Sequence, residues 1–302
     1  MATPRLYIIC PSYAINNPAD RAGLLSRAQM WADALDWAVV ASPLLERYLE
    51  NGAWLPAAER AADLAHAMQH EVIWACRGGY AAVHLIPVLL KAPSSTRPLL
   101  IGYSDTTVLH ACWALRDLGP AVYGSLSEQI HDSRRGQSLL TWLKGEDLLV
   151  SSAQEPAARV LRPGVIRAPV FAACLVVLAN LCGTPAMPAL RGKILAIEDV
   201  SERPYAVDFA LNQLYLSGAL DGIVGLLCGA FHHENPDDYG GPSMGDILAS
   251  WAERLDVPTI ARLPFGHIED QFVVPCGVDA ELRAQADGAW ALHFFQAGDL
   301  VR

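Results

Sequence analysis

Ser104 has the residue type and the setting of a nucleophile. It stands in Gly102-Tyr103-Ser104-Asp105, between an apolar strand predicted at 99–102 and a helix predicted at 106–118. A hydroxyl at such a turn projects beyond the end of a sheet, and the first N–H groups of the helix point towards the same space. Attack on a carbonyl carbon and stabilisation of the oxyanion could share this place, although the local pattern fits a helix cap equally well.

Ser243 competes for the same role, because Gly241-Pro242-Ser243-Met244-Gly245 matches the Gly-x-Ser-x-Gly pattern more literally. A polar loop precedes it, so no strand delivers it to the edge of a sheet. Asp246 follows three residues later, as in a capping box. We therefore predict that Ser243 caps a helix and that Ser104 is the better candidate.

A serine nucleophile needs a histidine base and a group that orients the imidazole. Among nine histidines, His267 follows Gly266 after a short apolar segment, which suits the carboxyl edge of a sheet, although a surface histidine would fit as well. Glu198 is the first polar residue at the end of an apolar strand and is the candidate acid. Glu202 precedes a predicted helix, where the helix dipole explains an acid. Asp199 could be a second acid that supports Glu198 without contacting the histidine.

A turn with paired glycines, Arg77-Gly78-Gly79-Tyr80, follows the apolar strand predicted at 72–76. Glycines let a backbone approach a substrate closely and present N–H donors to it. An ordinary strand-to-helix turn is the alternative interpretation.

These residues need a scaffold that brings strand ends together. Short apolar runs alternate with helical patterns, which is typical of a mostly parallel sheet covered on both faces. We predict an α/β protein with an N-terminal domain at 1–150, a linker at 151–163 and a second α/β domain with an antiparallel finish at 164–302. The predicted helices are at 22–36, 57–70, 106–118, 172–181, 205–216 and 244–255.

Composition excludes several classes of protein. The chain has 302 residues, 52% of them hydrophobic, and a formal net charge of -10 without a basic tract, which disfavours nucleic acid as a partner. The N-terminal apolar run is too short for a signal peptide, and the longest apolar stretch is about half of the ~20 residues that cross a bilayer. Seven cysteines without a Cys-x-x-Cys pair indicate a reducing compartment. We expect a cytoplasmic protein without a membrane span.

In this order, the motifs resemble those of the LD-carboxypeptidase family of serine peptidases, which includes muramoyltetrapeptide carboxypeptidases. The resemblance implies no metal and no organic cofactor. The resemblance runs nearly from end to end, and each motif is short. It rests on Pro11-Ser12-Tyr13, Arg77-Gly78-Gly79-Tyr80, Gly102-Tyr103-Ser104-Asp105, Gly183-Thr184-Pro185, Glu198-Asp199-Val200-Ser201-Glu202, Phe265-Gly266-His267 and Pro275-Cys276-Gly277. It implies a flavodoxin- or amidotransferase-like N-terminal sheet and a site between the two domains.

The resemblance also implies roles for individual residues. Ser104 would be the nucleophile, His267 the general base and then acid, and Glu198 the partner of the imidazole. Asp105 and Gly79 would supply the N–H donors of the oxyanion hole. Possible substrate-binding residues are Arg77, Gly78, Tyr80 and Glu202.

The implied reaction cleaves the L,D-peptide bond that holds the terminal D-alanine of murein tetrapeptides, in peptidoglycan recycling, with a homodimer expected. Alternatives are a self-immunity peptidase that cleaves peptidyl-nucleotide antibiotics and a noncatalytic peptide-binding relative. A glutamine-amidotransferase-like hydrolase would need a cysteine where Ser104 stands.

Two departures from the family pattern bear on substrate choice more than on hydrolysis. Ala81 replaces a glycine that usually follows the Gly-Gly-Tyr turn. Ala172-Ala173-Cys174-Leu175 replaces a usual Gly-Gly-Asn-Leu, which exchanges permissive glycines and a polar amide for small apolar groups.

Overall fold

Two β-sheets with flanking helices form the structure, a computed structural model that describes residues 3–15, 17–51, 55–92, 96–232, 239–296, 298 and 300. The strands in these residues are β1 (Arg5–Ile9), β2 (Ala38–Ala41), β3 (Val72–Ala75), β4 (Leu99–Gly102), β5 (Ala121–Tyr123), β6 (Leu148–Ser151), β7 (Arg159–Arg162), β8 (Gly164–Cys174), β9 (Ile194–Val200), β10 (Gly225–His232), β11 (Thr259–Ala261), β12 (Val274–Cys276), β13 (Asp279–Ala284) and β14 (Trp290–Phe294). The helices are α1 (Pro18–Leu35), α2 (Leu44–Asn51), α3 (Ala57–Ala67), α4 (Ile86–Leu89), α5 (Thr107–Arg116), α6 (Arg134–Leu143), α7 (Leu175–Ala179), α8 (Pro204–Leu216) and α9 (Met244–Leu255).

The first sheet has the strand order β12-β5-β4-β3-β1-β2 and is parallel except for β12. Every residue of β3 and β4 is buried, as expected for short apolar strands that are covered on both faces. Parallel strands end at one edge of a sheet, so the turns after β3, β4 and β5 lie side by side there.

The second sheet has the order β6-β14-β13-β8-β9-β10-β11-β7. Strands β8 to β11 run parallel, and the strands at both ends are antiparallel. The predicted α/β class, with a mostly parallel first sheet and an antiparallel finish, is therefore confirmed. Strand β6 pairs in the second sheet and β12 in the first, so the chain crosses between the sheets more than once.

One predicted helix is wrong at its start. Residues 172–174, predicted as the first turn of a helix, are the end of β8, where Ala172 pairs with Ala196 and Cys174 with Glu198. Pairing with β9 outweighs the helical preference of this alanine-rich segment, and α7 is short. The linker predicted at 151–163 contains the last residue of β6 and all of β7.

Ser243 is the N-cap of α9, as predicted. Its hydroxyl accepts a hydrogen bond from the backbone N–H of Asp246, and the Asp246 carboxylate accepts the N–H of Ser243 at 3.0 Å. In this reciprocal capping box, the Ser243 hydroxyl is bonded to the first turn of its own helix. The literal Gly-x-Ser-x-Gly match is thus explained by helix capping.

The described residues contain no helix that is both long and apolar enough to span a bilayer. Within the same part of the chain, no group of three or more histidine, cysteine or acidic side chains is arranged to hold a metal ion. All seven cysteines are free, and most of them are buried.

Candidate active site

Ser104 occupies a tight turn directly after β4. Its φ of 65° lies in the left-handed region, which is uncommon for residues other than glycine and is frequent at nucleophile elbows. A single 3-10 turn at Ser104–Thr106 then leads into α5. The strand end is held by His110, whose Nε2 donates to the carbonyl oxygen of Gly102 at 2.8 Å. Burial lowers the pKa of His110 to about 4, so this imidazole is neutral and structural.

The side chain of Asp105 ties two loops to the serine turn. Its Oδ2 accepts a hydrogen bond from Ser12 Oγ at 2.6 Å and another from the backbone N–H of Ala82 at 2.9 Å. Asp105 and Ser12 are both buried, so these bonds are sheltered from water. The loop after β1 and the loop after β3 are therefore anchored beside the N-terminus of α5.

Gly78 and Gly79 lie next to the serine turn but face different neighbours. A Cβ built on Gly78 would lie 2.7 Å from Ser104 Cβ and 3.6 Å from the backbone nitrogen of Asp105. Gly79 has a φ of 120°, and a Cβ there would lie 2.6 Å from Cγ of Tyr13. Only glycine fits at either position without displacement. Gly78 brings the backbone against Ser104, whereas Gly79 lies against the ring of Tyr13.

Glu198 and His267 form an acid–imidazole pair in which the carboxylate is buried and the imidazole is partly exposed. Glu198 lies near the end of β9 with 0% of its surface exposed, and its Oε2 is 2.7 Å from His267 Nδ1. The same oxygen accepts the backbone N–H of His267 at 3.1 Å. Two bonds to one residue fix both the ring and the backbone of the histidine.

Gly266 makes the acid–imidazole contact possible. Its φ is 105°, and a Cβ there would lie 2.6 Å from Cγ of Glu198 and 2.7 Å from Cβ of Glu198. The glycine before His267 is therefore required both by backbone conformation and by the space that Glu198 fills.

Two tyrosines connect this pair to the serine turn. The Tyr123 hydroxyl donates to Glu198 Oε1 at 2.6 Å and accepts the backbone N–H of Ser104 at 3.2 Å. The ring of Tyr103 lies 5.0 Å from the His267 ring, centroid to centroid. The serine turn after β4 is thus linked to Glu198 through Tyr123 and to His267 through Tyr103. The role of Tyr123 was not predicted from the sequence. The only local feature that marks this residue is a short apolar run at 121–123, which ends before Gly124.

The two departures from the family pattern lie beside these groups. Ala81 adopts a φ of 101°, a conformation suited to the glycine that it replaces. Cys174 pairs with Glu198 across the strands, and its thiol is buried. Next to it, Asp199 accepts the backbone N–H of Val176 at 2.8 Å, and burial raises the pKa of Asp199 to about 6. This flank of Glu198 is therefore less polar than an asparagine would make it.

The other predicted substrate-binding residues, Arg77, Tyr80 and Glu202, have different surroundings. Arg77 donates from Nη1 to the carbonyl oxygen of Ala14 at 2.7 Å and lines a cavity of about 360 Å³. Tyr80 is half exposed. Glu202 lines a separate cavity of about 490 Å³ beside α8, and the carboxylate that contacts His267 is that of Glu198.

The arrangement can carry out acyl transfer. It combines a hydroxyl on a strained turn, an imidazole whose Nδ1 is held by a carboxylate, and backbone N–H groups at the start of a helix. Its parts come from loops and strand ends of both sheets.

Comparison with known sequences covers most of the chain. Residues 6–124 match the model of the LD-carboxypeptidase N-terminal domain, and residues 167–282 match that of the LD-carboxypeptidase C-terminal domain. A Streptomyces coelicolor protein provisionally named a carboxypeptidase is 34% identical over 238 residues, 75% of this chain and 74% of the relative. The murein tetrapeptide carboxypeptidase of Pseudomonas aeruginosa is 30% identical over 224 residues, 70% of this chain and 71% of the relative.

Solved structures share the same fold. The muramoyltetrapeptide carboxypeptidase of Oxalobacter formigenes has a TM-score of 0.79 at 25% identity, covering 96% of this chain and 99% of that one. MccF in complex with glutamyl sulfamoyl guanosine has a TM-score of 0.78 at 17% identity, covering 98% and 99%. The first similarity extends to sequence, whereas the second is one of fold alone.

Proposed function

Because the chain belongs to the LD-carboxypeptidase family, we propose that it is a serine carboxypeptidase that releases the terminal D-alanine of murein tetrapeptides in peptidoglycan recycling. The observation that carries the serine mechanism is the contact between buried Glu198 and His267, with Glu198 Oε2 2.7 Å from His267 Nδ1, and its link to the Ser104 turn through Tyr123. An acid on Nδ1 leaves Nε2 unprotonated and able to accept a proton from a hydroxyl.

In the first step, Ser104 Oγ attacks the carbonyl carbon that joins the L-centre of a diaminopimelate-type residue to D-alanine. The hydroxyl proton passes to His267 Nε2, and Glu198 stabilises the imidazolium that forms. The backbone N–H groups of Asp105 and Gly79 donate to the oxyanion.

In the second step, the tetrahedral intermediate collapses. His267 returns the proton to the leaving nitrogen, so free D-alanine departs and an ester remains on Ser104. A water molecule then gives a proton to His267 and attacks the ester carbonyl. Collapse returns that proton to Ser104 Oγ and releases the shortened peptide.

The proposal is tested with two tetrapeptides that differ only in the configuration of the last residue. Incubation of the purified protein with the peptide ending in D-alanine should release free D-alanine, quantified by chiral chromatography. The peptide ending in L-alanine should release at most a few per cent as much. No release of D-alanine, or equal release from both peptides, would contradict the proposed function.

A second candidate activity is cleavage of a peptidyl-nucleotide. One observation favours it: Tyr13 and Tyr80, at 44% and 51% exposure, flank the glycine turn beside Ser104, where an aromatic ring could stack on a base. An aminoacyl sulfamoyl nucleoside added to the tetrapeptide assay separates the two activities, since only a self-immunity peptidase would hydrolyse it faster than the tetrapeptide.

Gly266→Ala is expected to lower kcat/KM for D-alanine release by about 100-fold, because a displacement of catalytic groups of about 1 Å can cost that much. The added methyl group would overlap Glu198 Cγ and push the carboxylate or His267 out of register. Steady-state kinetics on the tetrapeptide measures the change.

Gly277→Ala is the matched control. Gly277 also has a positive φ, 76°, but a Cβ there would meet nothing within 4 Å. Gly277→Ala should carry the same kind of backbone strain as Gly266→Ala, measured as a lower melting temperature, but should retain activity. If both variants kept full activity, the contact between Gly266 and Glu198 would not matter for catalysis.

A further inference from the structure

Tyr123 lies between the nucleophile and the acid. It ends β5, beside Gly102 of β4, and only 1% of its surface is exposed. We propose that Tyr123 is a positioning residue that holds Glu198 and the Ser104 backbone in register across the two sheets. This inference rests on the proposed serine mechanism and assigns it a further residue.

The hydrogen bonds of Tyr123 have a defined direction. A phenol has one proton, and the Glu198 carboxylate can only accept, so the proton points to Oε1 at 2.6 Å. A lone pair of the same oxygen remains for the N–H of Ser104 at 3.2 Å. Burial and the charge of Glu198 raise the pKa of Tyr123 well above its usual range, so the phenol keeps this proton.

Glu198 depends on Tyr123 because the carboxylate is completely buried. Three donors satisfy it in the structure: the Tyr123 hydroxyl on Oε1, and the ring and backbone N–H groups of His267 on Oε2. An ionised carboxylate in such a place requires its donors. Tyr123 supplies the donor on the oxygen that His267 does not contact, and this leaves Oε2 to face the imidazole.

Ser104 depends on Tyr123 for a different reason. Its φ of 65° is costly for a residue with a side chain and persists only where the surroundings hold it. The bond from the Ser104 N–H to Tyr123 is one such restraint, and it lies on the residue that carries the nucleophile. One phenol oxygen therefore restrains the turn of the first sheet and the carboxylate of the second.

Tyr123→Phe tests this role, since the ring stays and only the hydroxyl is lost. We expect kcat for D-alanine release to fall about tenfold or more, the loss typical of a hydrogen bond to a charged group, with KM within twofold. A fall in kcat at nearly constant KM marks a group that acts on the transition state, whereas a purely structural residue would change the melting temperature and leave both constants of the folded enzyme in place.

A matched control is Tyr7→Phe. Tyr7 is equally buried, and its hydroxyl donates to Asp63 Oδ1 at 2.7 Å in another part of the first sheet. This variant should lose stability and keep the wild-type kcat and KM. In a double-mutant cycle, Tyr123→Phe should add less than threefold to the loss caused by Glu198→Gln, because both changes act on one contact.

Labelling of Ser104 by a fluorophosphonate, followed by intact mass, separates this inference from the choice of substrate. If the wild type is labelled but does not cleave the tetrapeptide, only the proposed substrate fails, and slower labelling of Tyr123→Phe still supports the positioning role. Unchanged kcat and labelling in a folded Tyr123→Phe variant would overturn that role. A fully additive cycle would also overturn it, and absence of labelling in the wild type would overturn the serine mechanism as well.

Discussion

Ser104→Ala is expected to reduce kcat for D-alanine release by about 10⁶-fold, the loss that follows removal of the nucleophile of a comparable triad. Its neighbours keep their contacts, because the bonds at this turn involve the Ser104 backbone and the Asp105 side chain. The variant should therefore stay folded and bind the tetrapeptide without cleaving it, as measured by chiral analysis of D-alanine and by calorimetric binding.

Ser243→Ala is the control variant, because Ser243 matches the Gly-x-Ser-x-Gly sequence pattern but caps α9. Loss of the N-cap should lower the free energy of unfolding by about 1 kcal/mol and leave kcat unchanged. Equal rates for the wild type and Ser104→Ala would remove Ser104 from the mechanism. Binding without cleavage by the wild type itself would favour a noncatalytic peptide-binding protein.

Glu198→Gln is expected to lower kcat by about 10⁴-fold, the loss that follows replacement of the acid of a triad. The amide keeps the volume and removes the negative charge that stabilises the imidazolium. It also puts an NH₂ group where a carboxylate oxygen now accepts a hydrogen bond, from Tyr123 on one side or His267 on the other. Steady-state kinetics on the tetrapeptide, at several pH values, measures the loss.

Glu281→Gln makes the same chemical change far from the site, on β13, where Glu281 pairs with Arg283. It should leave kcat within twofold of the wild type, since exposed ion pairs contribute little. A larger loss in Glu202→Gln than in Glu198→Gln would move the role of acid to Glu202. The contact of Glu198 with His267 leads us to expect the opposite order.

The elements that the sequence predicted well are those with a local cause. The buried runs of β3 and β4 are continuous apolar segments, and a sheet covered on both faces requires such segments. The Ser243 cap depends on a partner three residues away, so its pattern is visible in the letters. The family was also recognisable, because short motifs recur in order along most of the chain, and the family comparison confirms it.

Errors and omissions arose where distant residues decide the structure. The start of the helix predicted at 172–181 is strand, because residues 172–174 of β8 pair with β9. Nothing local to Tyr123 shows that its hydroxyl meets Glu198, since the two residues are 75 positions apart and lie on different sheets.

By itself, the sequence determined the α/β class, the strand-to-helix turn at Ser104 and the family, because each depends on residue order or local periodicity. Only the tertiary structure decided which acid contacts His267 and why Gly266 precedes it. It also decided which side chain joins the serine turn to that acid. Those choices follow from close packing and from the donors that a buried carboxylate requires, and both are set by neighbours far away in the chain.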